Sequence, residues 1–251
     1  MYARLCVALV FCLSAILLFS AILLAQEIPV GTVVPVMLSS GLNAKEDEPG
    51  KKIKGSVMQE VSLPDGDKIK ERSGITGHVV RTVQQGPSGS SIVIRFDAIE
   101  SSQRTIPLTA SLLAVASASN VDHAQSPINS SSNSEPSTQW VTRQVGGDIV
   151  RRGWGKAGSS SGVVGRWVGG TSVVIKLTPN AEAGCPSGPG YDREQAVWVF
   201  SSAACGTYGL TNVKIASSGS ATPLGEVVLQ STKNILMRGG SGWLLIVVGR
   251  Q

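Results

Sequence analysis

The chain has 251 residues, room for two ordinary domains or one large β domain. Hydrophobic residues make up 42% and charged ones only 16%, with 29 glycines, a balance that speaks against a helix bundle and for strands joined by turns. The net charge of +5 comes without any basic block, so it points to a solvated surface and not to nucleic-acid binding.

The first predicted element is a leader. Arg4 supplies a positive start, an apolar stretch runs from Leu5 to Leu24 broken only by Ser14 and Ser20, and Ala25 precedes the polar pair Gln26-Glu27. This is the order of a bacterial export signal: a basic end held in the cytoplasm, an apolar core entering the bilayer, a small residue at the cleavage point. A signal peptide over residues 1–25 is expected, with Leu23 standing where a small residue is usual. The apolar stretch is also long enough to span a bilayer, so an uncleaved anchor touching the membrane through residues 5–24 is the alternative. Both readings export the body to the periplasm, cell envelope or extracellular medium. Cys6 and Cys12 belong to the leader and sit in no lipoprotein motif, which leaves Cys185 and Cys205. Two cysteines facing an oxidising compartment are most simply a structural disulfide. The pair lacks the C-x-x-C spacing of a redox site and the nearby His of a zinc site.

The body is expected to be mainly β, in two β-rich parts of barrel or sandwich type. The first, over residues 26–119, begins with a strand from Val33 to Leu38, where Pro35 points to a sheet edge or a strand start. From Lys52 to Val61, Ile53, Gly55, Val57, Gln59 and Val61 alternate along one face. A turn over Leu63 to Asp67 follows, then strands at Ile75 to Val83, Ile92 to Phe96 and Thr105 to Leu108. Leu108 to Ser119 fits a strand or a short helix. Residues 120–138 are rich in Ser, Asn and Pro and bury too little apolar surface to order themselves, so a linker is expected there.

The second part, over residues 139–251, resumes short apolar bursts between Gly and Ser clusters. Strands are expected at Val163 to Val168, Ser172 to Leu177, Ala196 to Phe200, Val213 to Ala216, Glu226 to Leu229, Asn234 to Met237 and Trp243 to Val248. The last burst is apolar throughout, the pattern of a central strand buried on both faces.

Ile28 to Ile99 resembles the C-terminal barrel domain of the type IV secretion and conjugation scaffold proteins. The likeness rests on Gly31-Thr32, on Pro35-Val36-Met37-Leu38, on a loop ending in Pro49-Gly50, and on strands carrying Val57 and Val61, Ile75-Thr76-Gly77 and Ile92 to Phe96. Family members are β-barrels that bridge the periplasm and help form an envelope channel. Ile69-Lys70-Glu71-Arg72-Ser73 stands where the family has an Ile-Pro-x-Gly-Ser turn, so the resemblance implies a β fold for this segment and carries over no channel function.

No arrangement of side chains argues for catalysis, a metal or a cofactor. Gly153-Trp154-Gly155-Lys156-Ala157-Gly158 matches the dinucleotide fingerprint, but poor helix formers follow it and no acidic residue lies about 20 positions on. Gly158-Ser159-Ser160-Ser161-Gly162 matches the nucleophile-elbow pattern, yet both His78 and His123 precede Ser160, and no helix is expected. The charged run Lys45 to Glu48 and the pair Asp65 and Asp67 lack a full calcium loop and are expected to be solvated turns. Asp192 with Glu194 is the one pair of acids considered for a carbohydrate hydrolase.

The aromatic residues carry the functional expectation. Trp140, Trp154, Trp167, Trp198 and Trp243 all lie in the second part. Trp198 and Trp243 sit in apolar bursts and are assigned to the core. Trp154 and Trp167 stand in Gly-rich surroundings and are the candidate ligand-binding residues, since exposed indoles stack on sugars or anchor partners. The expected function is non-catalytic, binding or structural, with an envelope protein or glycan as partner. A carbohydrate hydrolase and an accessory component of a secretion channel are the alternatives.

Overall fold

The computed structural model describes residues 27–84, 89–101, 104–128, 140–216 and 223–249. The leader and most of the Ser-rich stretch therefore lie outside the described residues.

The first half contains β1 (Val33–Leu38), β2 (Leu42–Asn43), β3 (Lys52–Val57), β4 (Val61–Ser62), β5 (Lys68–Ile69), β6 (Gly74–Gln84), β7 (Ser90–Glu100), β8 (Thr105–Pro107) and β9 (Ala110–Ala116), then helix α1 (Ala118–Gln125). The second contains β10 (Trp140–Arg143), β11 (Ile149–Gly153), β12 (Lys156–Ser159), β13 (Gly162–Gly169), β14 (Ser172–Lys176) and β15 (Glu194–Ala196). After these come β16 (Gly206–Tyr208), β17 (Val213–Ile215), β18 (Glu226–Ser231), β19 (Leu236–Met237) and β20 (Gly242–Val247). The mainly β class expected from the sequence is the class observed.

Ten strands make one sheet in the order β16-β9-β20-β1-β3-β6-β7-β18-β17, with β8 beside β7. Its end strands approach each other, and Thr207 Oγ1 on β16 donates to Val213 O on β17 at 2.8 Å, so the sheet curls into a nearly closed barrel. Register shifts between β6 and β7, at Thr76/Gly77 and Val79/Arg81, add the coiling that closure requires. Gly77 is what the first shift needs, because a Cβ there would lie 2.4 Å from Arg95 O. Inside the barrel Val36, Ile53, Ile75, Ile94, Trp243 and Leu245 form a continuous core. Phe96 meets Trp243 edge-to-face, with ring centroids 5.9 Å apart.

Strands β10 to β15 form a second sheet in simple chain order. Val150, Ala157, Val173 and Ile175 from its inner face pack with Trp198 and Phe200 against Val33, Ala114 and Leu244, which point outward from the barrel wall. The wall made of β9, β20 and β1 is thus covered on both sides, which is why β20 is apolar at every position after Gly242. Two buried glutamines lace the layers together. Gln59 donates to Val173 O at 3.0 Å and accepts from Trp198 N at 2.7 Å. Gln195 accepts from Val33 N at 3.1 Å and donates to Gly31 O and Gly190 O at 3.0 and 2.7 Å.

Four expectations differ from what is observed. The division at residues 120–138 does not assign the strands to two sheets, since β16, β17, β18 and β20 from beyond it complete the barrel. Residues 120–125 of the expected linker are the body of α1, capped by Ser117, whose side chain accepts from Asn120 N, and seated through Val121 and Ala124. Pro35 lies in a central strand and not at an edge. Its carbonyl accepts from Met58 N beyond the last residue of β3, so the missing N–H falls where that ladder has already ended. The strand expected at Ala196 to Phe200 ends at Ala196, where the chain turns through Trp198 at φ 51°.

Candidate functional site

The Gly-rich run that matched a dinucleotide fingerprint folds as the β11–β12 hairpin. Gly153 pairs with Lys156, leaving a two-residue turn with Trp154 at φ 53° and Gly155 at φ 72°. Positive φ at both positions is the primed turn that suits strand twist, and Asn-Gly is its usual occupant. A left-handed Trp costs about 1–3 kcal/mol. Its side chain recovers none of this by burial, because Trp154 is 82% exposed. The tip is nonetheless held, since Trp167 N donates to Gly155 O at 3.2 Å. Trp167 is half-buried against the second core, and its Nε1 donates to Gly170 O at 2.9 Å. The two candidate indoles therefore occupy neighbouring hairpins with different surroundings: Trp154 stands in solvent, Trp167 packs.

Beside the Trp154 tip, a groove of about 650 Å³ crosses the outer surface of β12, β13 and β14. Val163, 70% exposed, and Val164 give it an apolar floor, with Lys156, Arg166, Lys176 and Glu194 around it. Arg166 Nη2 meets Glu194 Oε2 at 3.0 Å. The same ion pair borders a second hollow of about 710 Å³, between the Met58–Glu71 segment and β13 to β15.

The remaining sequence candidates fall elsewhere. Asp192 is exposed, and Glu194 is engaged by Arg166. His78 Nδ1 lies 2.9 Å from Asp97 Oδ2 on the barrel, and His123 is exposed on α1. Asp65 Oδ1 accepts from Asp67 N to close its turn, and Asp47, buried, accepts from Asn43 N and pairs with Lys51 Nζ at 2.6 Å. Ser159 and Ser161 hydrogen-bond to each other in the β12–β13 turn, so the nucleophile-elbow match is followed by a strand and not a helix. Among the described residues, no three His, Cys, Asp or Glu side chains are placed to hold a metal. Cys185 and Cys205 are joined, with Cα atoms 6.0 Å apart. The bridge ties the turn-rich segment before β15 to the one before β16, a closure that stabilises by about 3 kcal/mol in the chain-entropy account.

One buried residue escaped sequence reasoning. Arg152, on the inner face of β11, is 1% exposed and donates from Nη1 to Thr142 Oγ1, while Nε and Nη2 have no partner. Burial pushes its guanidinium down to about 10. The available signal was the pair Arg151-Arg152 inside a strand, where alternation must turn one of two adjacent arginines inward.

Comparison with protein families, with characterised proteins and with solved structures finds no match for this chain. Among the described residues no helix is long and apolar enough to cross a membrane.

Proposed function

We propose that this is an exported, non-catalytic protein of the cell envelope or extracellular medium that binds a partner, an envelope glycan or protein, through the Trp154 hairpin and the groove beside it. One observation carries the reading: an indole 82% exposed, at a turn position unsuited to it, on a tip fixed to the next hairpin. Such a residue lowers stability and adds no packing, a combination met at binding sites. The Cys185–Cys205 bridge supports export, because disulfides persist in oxidising compartments. A hydrolytic role for Asp192 and Glu194 has less support, since Glu194 faces Arg166 in an ion pair.

Two measurements test the proposal. Cell fractionation with mass spectrometry of the N-terminus should recover the protein outside the cytoplasm, starting at Gln26 or, if anchored, retaining Arg4. Recovery from the cytosol with the leader intact overturns export. Co-sedimentation of residues 26–251 with isolated envelope material should fall at least five-fold for Trp154→Ala with the melting curve unchanged. Equal sedimentation of both proteins overturns the binding site.

A further inference from the structure

We infer that the outward face of the six-stranded sheet binds an acidic polysaccharide, the exposed basic row taking its carboxylates and Trp154 stacking on a sugar ring. The inference deepens the binding proposal above and rests on it.

Cross-strand partners share a face of a sheet, so the register decides which charges meet. Lys156 pairs with Arg166, and Arg166 with Val174. Lys176, two residues beyond Val174, lies on that same face opposite Glu194. On the other side Lys156 pairs with Gly153, which places Arg151 on this face, and Arg151 pairs with Val141, which places Arg143 there too. Five exposed cations from five consecutive strands thus share one surface with a single strand carboxylate, Glu194. The whole chain has an excess of only +5, so this face holds most of it. Charge that looked dispersed along the sequence is gathered by strand pairing.

The chemistry of the groove selects the anion. Cations delivered one per strand, Lys156 directly opposite Arg166 and each of the others offset by two residues along the strand from its neighbour, present a staggered band suited to a linear chain with repeated charges. Arg166, which holds Glu194 through Nη2, has a planar guanidinium of the kind that suits carboxylates. Val163 and Val164 form an apolar floor, and the hydroxyl residues Thr178 and Ser202 line the same groove, a mixture that fits the C–H faces and hydroxyls of sugars. A single-stranded nucleic acid would call for several aromatic platforms, and the groove has one largely exposed indole beside it, Trp154. Among the described residues Lys156 and Lys176 have no carboxylate partner, which leaves them available to a ligand.

The test is calorimetric titration of residues 26–251 with polygalacturonate, dextran and a mixed-sequence single-stranded oligonucleotide at low salt. Polygalacturonate should bind, with an affinity that falls as salt is raised. The double variant Lys156→Glu/Lys176→Glu should weaken binding at least ten-fold and flatten the salt dependence. Trp154→Ala should weaken it several-fold and leave the salt dependence as it was. Lys156→Gln/Lys176→Gln, which adds no like charge, serves if the reversal disturbs folding, and should also weaken binding. Dextran binding as tightly as polygalacturonate, tighter binding of the oligonucleotide, or indifference to the lysine changes overturns the inference. If polygalacturonate fails while envelope material still binds through Trp154, only the acidic specificity falls. If both fail, the binding proposal falls with it.

Discussion

The six-stranded sheet is a meander in which every strand pairs with its neighbour in the chain, whereas the barrel-like sheet inserts its last strand, β20, between β1 and β9. Barrel closure hides one face of every strand, and the meander hides the other face of β1, β9 and β20 as well. The meander itself has only its inner face covered, so its outer face is free to carry cations and a strained turn. Its inner face even holds Arg152 without an acidic partner, whereas the barrel core is dominated by aliphatic side chains packed around Phe96 and Trp243. The sheet built from distant segments carries the larger apolar core, and the exposed indole and the exposed cations of the proposed binding surface lie on the sheet built locally.

The contrast can be broken or sharpened experimentally. Truncation before Gly239 should have the largest effect, because loss of β20 unpairs both β1 and β9 and removes Trp243, Leu244 and Leu245 from two cores. The shortened chain should show no cooperative thermal transition by circular dichroism, and a cooperative melt would break the comparison. Trp243→Ala should cost about 3–5 kcal/mol in urea unfolding. Trp167→Ala, half-buried in the meander, should cost about 1–2 kcal/mol, and equal losses at the two sites would contradict the division of labour.

Arg152→Met should raise stability by about 1–3 kcal/mol, since an unpaired buried charge gives way to an apolar side chain of similar length. The sign follows from its proton affinity. With the native guanidinium lowered to about 10, native and unfolded chains are both protonated at neutral pH, and the native state bears the full cost of the buried charge. That cost shrinks only above pH 10, where the unfolded chain holds its proton more tightly, so the gain from Arg152→Met should be constant below that pH. The smallest effect is expected for Trp154→Asn, a gain of about 1 kcal/mol from relieving the left-handed turn. Its increase in denaturation midpoint should come with weaker binding of envelope material.

Much of the barrel was legible because its strands alternate or run apolar for several residues. The segments at Val33 to Leu38, Ile75 to Val83 and Trp243 to Val248 all emerge as strands within a residue or two of their expected limits. The meander was read less well. β11 and β12 are short, rich in Gly and charge, and their hairpin turn has Trp where Asn would have announced it. Residues 197–200 are apolar enough to pass for a strand, yet their polar backbone groups are satisfied individually, Trp198 N by the Gln59 side chain, and no ladder forms. Trp154 was recognisable as an exposure candidate from its surroundings, while Trp167 occupies the same composition and is half-buried, because the difference between them is tertiary.

Periodicity and composition, taken alone, settled the β class, the buried character of the final strand and the pairing of the two body cysteines, since each of these follows from residues within a short window or from a simple count. Only the tertiary structure decided that strands from both halves share one barrel and that five dispersed cations meet on one face. Alternation records which residues share a side of their own strand, but which strand lies alongside, and in what register, depends on contacts between segments far apart in the chain.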